Sequence, residues 1–273
     1  EFSFFYRVSQ GLFSIIAIIM LYQFFTSEDI PVYAYLISVL IVSVLSFFSF
    51  IYWLNKKSKG KEQAVLEVKS YSSLLKIAIP LMFAQSVQFI MSWTDKLMLG
   101  AMSTPEEVGV YHTAFKLSMF AAVALMSINS IASPKFAEMF SKNDMIGLEK
   151  VVRQSTKMIF WTSIPLVIIF FMFPEFLLGM FGEEFKVGVT AFIFLSCGRL
   201  FSSFSGSVGN ILQMTGNQNI LAKILLFAAI LNIALNLYLI PRYGINGAAL
   251  ASMICLVVWN SAMVLAVKKK LGF

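Results

Sequence analysis

Apolar stretches of roughly 16 to 26 residues recur along the whole chain, separated by short polar connections. A helix needs about 20 residues to cross ~30 Å of hydrocarbon, and an open sheet cannot sit in lipid because its edge groups find no partner there. The runs predict an all-α integral membrane protein of about eight transmembrane helices, at 8–25, 32–53, 74–99, 108–133, 158–173, 187–212, 221–240 and 247–267. Composition agrees: hydrophobic residues make up 59% and charged residues 13%, against about 45–50% and about 25% in soluble domains. The first run lacks the basic leader and small-residue cleavage motif of a signal peptide. The chain opens on Glu1 without an initiator methionine, as a fragment would.

A formal charge of +7 raises the question of nucleic acid, but the placement of the charges answers it. Fourteen lysines and arginines fall in the 55–72 linker, the 135–157 connection, Lys223 and the Lys268–Lys270 tail. The opposite connections hold only Lys186 and Arg242, among acids such as Glu28, Glu106, Glu107, Glu183 and Glu184. This is the positive-inside asymmetry of a multi-pass protein of the cytoplasmic membrane, with both ends of the chain cytoplasmic. The apolar residues of 135–157 (Phe136, Met139, Phe140, Leu148, Val151, Val152) predict an amphipathic segment at the cytoplasmic interface or against a partner helix. Cys197 and Cys255 both lie inside apolar runs, and His112 is the single histidine, so no disulfide framework, metal site or cofactor is expected. The linker divides the chain into two helices within 1–54, a cytoplasmic connection at 55–73 and a six-helix unit at 74–273, that is, part of one lobe and the whole of another.

Polar residues inside the expected helices keep helical spacing. Gln85, Gln88, Ser92 and Asp95 step by three or four along one face, as do Ser196, Arg199, Ser203, Ser207, Asn210 and Gln213. His112 and Lys116 share a face with Ser127 and Ser130, and a further helix carries Asn232 and Asn236. Such stripes predict a shared wet cavity; hydrogen bonds that hold helices together are the structural alternative, and for the two asparagines the favoured one. Arg199 and Lys116 are candidate phosphate ligands, Arg through its planar fork and Lys as a point charge. Each could instead pair with Asp95, whose role is then structural or in ion coupling, and His112 is a candidate proton carrier. Pro80 and Pro165 predict bends, and the small residues Gly247, Ala248, Ala249, Ala251 and Ser252 predict close helix packing.

Several segments resemble one family. Ile79-Pro80-Leu81 with Trp93-Thr94-Asp95-Lys96-Leu97-Met98-Leu99-Gly100 resembles the start of the second lobe of Wzx-like oligosaccharide flippases, in the multidrug/oligosaccharidyl-lipid/polysaccharide exporter superfamily. So do Glu106-Glu107-Val108-Gly109-Val110-Tyr111, Ser133-Pro134-Lys135-Phe136-Ala137-Glu138 and, most strongly, Asn232-Ile233-Ala234-Leu235-Asn236 through Pro241 to Ala249. The resemblance implies two six-helix lobes around a cavity that opens alternately to either side, of which this chain holds the second lobe and the last two helices of the first. It implies a flippase rather than an enzyme, moving a polyprenyl-(pyro)phosphate-linked oligosaccharide for polysaccharide biosynthesis. The bilayer and that cargo are the expected partners, nucleic acid is not, and the transporter is expected to be monomeric, with polysaccharide-assembly proteins as candidate partners. The phosphates fall to Arg199 and Lys116, the sugar hydroxyls to Gln85, Gln88, Ser92, Ser203, Ser207 and Asn210. The alternatives are a cation-coupled exporter of small molecules, which calls for more buried carboxylates, and a membrane enzyme acting on lipid-linked sugars, which calls for catalytic acids and a larger outer loop.

Overall fold

The computed structural model describes the backbone of residues 2–24, 30–58 and 71–272, and the side chains of 9–23, 30–52, 75 and 78–272. All described regular structure is helical: α1 (Phe2–Phe24), α2 (Ile30–Ser58), α3 (Tyr71–Met102), α4 (Pro105–Met119), α5 (Val123–Ser141), α6 (Met145–Met172), α7 (Pro174–Gly179), α8 (Val189–Ser205), α9 (Val208–Met214) and α10 (Gln218–Leu271). The chain divides into two compact units, Glu1–Val68 and Lys69–Phe273. The expected linker falls largely outside the described residues, with helix α2 continuing through Ser58.

In the first unit α1 and α2 pack along a narrow seam. Ile30, Ala34, Ser38 and Val42 recur every four residues on α2 and are all buried, while Leu36, Leu40 and Phe47 between and beyond them are exposed. The Ser14 and Ser38 hydroxyls bond across the seam at 2.7 Å.

The second unit is bounded by local signals. Thr104 caps α4 by accepting from the Glu107 amide, and Pro105 with Glu106 and Glu107 occupies the first turn, where a free amide is not needed and negative charge is favoured. Between α5 and α6 the chain reverses at Asn143, in the left-handed region at φ 55°, and Asp144 caps α6 by accepting from the Gly147 amide at 2.8 Å. The segment 135–157 is therefore two helix ends joined by a turn, and its apolar face packs inward. Phe136 and Leu148 are fully buried, with Met139, Phe140, Val151 and Val152 against the same core. Helices α3 and α6 run on through Pro80 and Pro165. The chain breaks instead at glycines.

Gly206 separates α8 from α9 with φ 68° and ψ −143°, a conformation open to glycine and little else. Gly244, at φ 53° and ψ −130°, divides α10 into two arms of about 26 residues, ~39 Å each at 1.5 Å per residue. The arms fold back on one another. A side chain at Gly247 would strike the Leu239 carbonyl, eight residues away, whereas a straight helix would place those positions ~12 Å apart. The five described stretches long and apolar enough to cross a membrane are Ile30–Tyr52, Pro105–Ser141, Met145–Met172, Glu183–Ser205 and Gln218–Leu271. Helix α3 runs for 32 residues and carries the polar stripe of Gln85, Gln88, Ser92 and Asp95.

Helix α10 packs against α3 and α8, and α8 in turn against α4 and α6. Two apolar cores result. One gathers Leu99, Tyr111, Phe170, Phe192, Leu195 and Ile245; the other gathers Val87, Phe136, Leu148, Ile211, Leu225 and Met263. Polar residues are buried among the helices, including Asp95, Ser196, Asn232, Asn236 and Asn260, while Leu97, Ile131, Trp161, Phe227 and Leu265 stand more than half exposed. A polar interior inside an apolar surface of this extent fits a hydrocarbon surround and not water. The protein is an all-α, multi-pass membrane protein.

Candidate functional site

Helices α3, α4, α8 and both arms of α10 enclose an open cleft of about 650 Å³. The α3 stripe supplies Gln85, Gln88, Ser92 and Asp95; α4 supplies His112 and Lys116; α8 supplies Arg199. These seven expected site residues, drawn from three helices, thus meet in one cleft. Asn232 and Ser252 reach it from the two arms of α10. Aromatic rings of Phe89, Trp93, Phe115 and Trp259 form much of the remaining wall.

Asp95 is buried and bridges four side chains. Oδ1 accepts from the Asn232 amide at 3.1 Å and the Asn236 amide at 2.7 Å; Oδ2 accepts from the Tyr111 hydroxyl at 2.8 Å and from the Ser252 hydroxyl. Asn236 and Ser252 are 16 residues apart, ~24 Å along a straight helix, so this shared partner is possible only because α10 folds back at Gly244. The four donors are neutral. The expected ion pair of Asp95 with Lys116 or Arg199 does not form: the ion pairs among the described residues are Lys142–Glu138, Arg153–Glu149 and Lys186–Glu183, all local to a helix or turn. The physical reason is saturation, since amide and hydroxyl donors at close range already meet both carboxylate oxygens.

Two of the basic side chains lie over rings. Lys96 Nζ lies 4.3 Å from the centre of the Phe115 ring and 4.7 Å from that of Trp93, and the Arg199 guanidinium carbon lies 5.4 Å from Phe115. Ring faces attract cations without neutralising them, so the charge stays available to an anion. Arg199 keeps its buried Nε–H without a hydrogen-bond partner. Three basic side chains, Lys96, Lys116 and Arg199, line the cleft with His112 against the single carboxylate of Asp95. Sequence reasoning missed Lys96. Its signal was the residue after Asp95, one step round the helix and thus aimed at α4 when Asp95 faces α10.

The remaining expected residues do not line this cleft. Ser203, Ser207 and Asn210 were expected to continue the Arg199 stripe, but the break at Gly206 redirects the chain before the last two. Ser203 is buried near the end of α8. The Ser207 hydroxyl donates to Asn129 Oδ1, and the Asn210 side-chain amide donates to Ser133 Oγ at 3.1 Å, so both tie α9 and its cap to α5. Ser127 and Ser130 lie past a 3₁₀ turn at Phe120–Ala122 and are also outside the cleft.

Comparison with known proteins adds to this geometry. A family model described as MatE matches residues 80–238, and one described as polysaccharide biosynthesis protein matches residues 2–140. The probable low-salt glycan biosynthesis flippase Agl15 of Haloferax volcanii is 27% identical over 60% of this chain and 35% of its own length. The capsular polysaccharide biosynthesis protein CapF of Staphylococcus aureus is 24% identical over 89% of this chain and 62% of its own. The crystal structure of MATE in the straight conformation superimposes with a TM-score of 0.76 at 16% identity, covering 98% of this chain and 62% of that one. The chain thus spans roughly a third to two thirds of the length of these proteins.

Proposed function

Because this chain belongs to the MatE family and, over its first half, to the polysaccharide biosynthesis protein family, we propose that it is the working lobe of a flippase for lipid-linked oligosaccharide. The cargo is a polyprenyl-(pyro)phosphate-linked glycan crossing the cytoplasmic membrane, a reading supported by relatives named for glycan and capsule biosynthesis. The observation that carries it is the charge of the cleft. Three cations face it, while its one carboxylate is occupied by four neutral donors. An anionic headgroup fits that balance; a cationic drug does not.

In this reading Arg199 and Lys116 take the phosphate oxygens, the first through two parallel N–H donors and the second as a point charge. Gln85, Gln88 and Ser92 offer hydrogen bonds to sugar hydroxyls, and the tail stays in lipid. Transport needs no covalent step. Residues 74–273 form the six-helix second lobe, 1–54 the end of the first and 55–73 a cytoplasmic connection about which the lobes rock. The transporter acts as a monomer with its lysine-rich loops and both chain ends in the cytoplasm, and passes its product to polysaccharide-assembly proteins.

The test is complementation of a flippase-deleted strain by the full-length protein carrying Arg199→Ala. Surface glycan is expected to fall at least tenfold at unchanged protein level, since a charged, bidentate contact contributes about 1.5–3 kcal/mol. Undiminished glycan removes Arg199 from phosphate binding. Restored efflux of a cationic dye without glycan would favour the small-molecule exporter.

A further inference from the structure

The second unit carries another cavity, of about 600 Å³, at the end of the bundle where α10 finishes in Lys268, Lys269 and Lys270. It lies between α6, the α8–α9 break and the second arm of α10, and none of its residues belongs to the cargo cleft. Its walls are mainly apolar: Phe160 and Phe204, tilted against each other at 4.8 Å between ring centres, with Val208, Ile211, Val264 and Val267, and Thr156 and Ser205 at the α8–α9 break. Its rim is basic. Arg153 and Lys157 lie one helical turn apart on α6, immediately before the apolar run that starts at Met158. Arg153 is partnered by Glu149 at 2.7 Å, whereas Lys157 has no acidic partner among the described residues.

We propose that this groove is a binding site for a net-anionic glycerophospholipid of the surrounding leaflet. Lys157 takes the phosphate, aided by Arg153 and the field of the Lys268–Lys270 tail, and one acyl chain lies along Phe160, Phe204, Val208 and Val264. The two halves of the site match the two halves of such a molecule. The cations sit where α6 leaves the apolar zone, which is the depth of headgroups, and the apolar walls run inward from there. Basic pockets between helices at that depth select anionic headgroups, at roughly 1 kcal/mol, or about fivefold in affinity, for each cation near the surface. The volume falls within the ~300–1,000 Å³ of ligand sites. A lipid seated here would also lie against the α8–α9 break, where Thr156 packs on Gly206.

The experiment titrates the detergent-purified full-length protein with phosphatidylglycerol and with phosphatidylcholine of the same chains, counting bound lipids by native mass spectrometry. Phosphatidylglycerol is expected to bind about tenfold tighter, and Lys157→Gln to lower its affinity about fivefold. Arg153→Gln, already offset by Glu149, should change it less. Val264→Trp leaves every charge in place but fills the groove, and should abolish the high-affinity binding; glycerol 3-phosphate, a headgroup without chains, should not compete. Equal binding of the two lipids, an unaffected Lys157→Gln variant whose melting temperature matches the parent, or full binding to Val264→Trp would each overturn the proposal. Neutralising Lys268–Lys270 should weaken binding no more than Lys157→Gln does; complete loss with Lys157 intact would also overturn the proposal. None of these readouts depends on what cargo the cleft carries.

Discussion

Asp95 shows how one side chain can organise several helices without an ion pair. Its two oxygens collect Tyr111 from α4, Asn232 and Asn236 from the first arm of α10, and Ser252 from the second. Removing the acceptor strands four donors, three of them buried, so Asp95→Ala is expected to destabilise the second unit by about 2–4 kcal/mol. Tyr111→Phe, which removes one donor and leaves three, should cost about 1–2 kcal/mol. Thermal unfolding in detergent checks both; equal losses would mean that the tyrosine hydroxyl is the dominant partner. The charges on these residues were legible in the sequence, and so was the α3 stripe, because a 3-4-3 spacing fixes a face whatever the neighbours do. Partner choice was not. Asp95 could be paired on paper with Lys116 or Arg199 because charge is visible in a sequence. The turn between the expected helices at 221–240 and 247–267 was legible, but that positions 236 and 252 would meet at Asp95 depended on tertiary packing, which composition does not reveal.

At the scale of the elements, two glycines decide more than four prolines. Pro80, Pro134, Pro165 and Pro241 all lie inside helices that continue past them, whereas Gly206 and Gly244 stop the helical path. Apolar periodicity located the spans but ran straight through Gly206, which is why one face was read from Ser196 to Gln213. The signal was Ser205-Gly206-Ser207, a loop-like triplet inside an apolar run. Gly216 gives the comparison for a test. It too has positive φ, 75°, but an added Cβ there meets nothing within 4 Å, whereas at Gly206 it would press on Thr156. Gly216→Ala should cost about 1 kcal/mol from backbone conformation alone, and Gly206→Ala about 2–3 kcal/mol or more. Comparable melting temperatures for the two variants would remove the Thr156 contact as a cause.

At the largest scale, the second unit separates charge by its two ends. Lys135, Lys142, Lys150 and the Lys268–Lys270 tail lie towards one end of the second unit, while Glu106 and Glu107 open α4 at the other. In a cysteine-free background of the full-length protein, Lys142→Cys should react with an impermeant maleimide only in inverted vesicles and Glu107→Cys only in intact cells. The reverse pattern would invert the proposed orientation. The satisfied state of Asp95 has one more consequence. Because neutral donors meet both oxygens of that carboxylate and no ion pair forms on it, the three basic side chains outnumber the one acid, and the net positive charge of the cleft is left for mobile ions from solution to screen. Small anions are expected to gather there. Under the proposed function, loading of an anionic headgroup would displace these counterions, and its driving force would weaken as ionic strength rises.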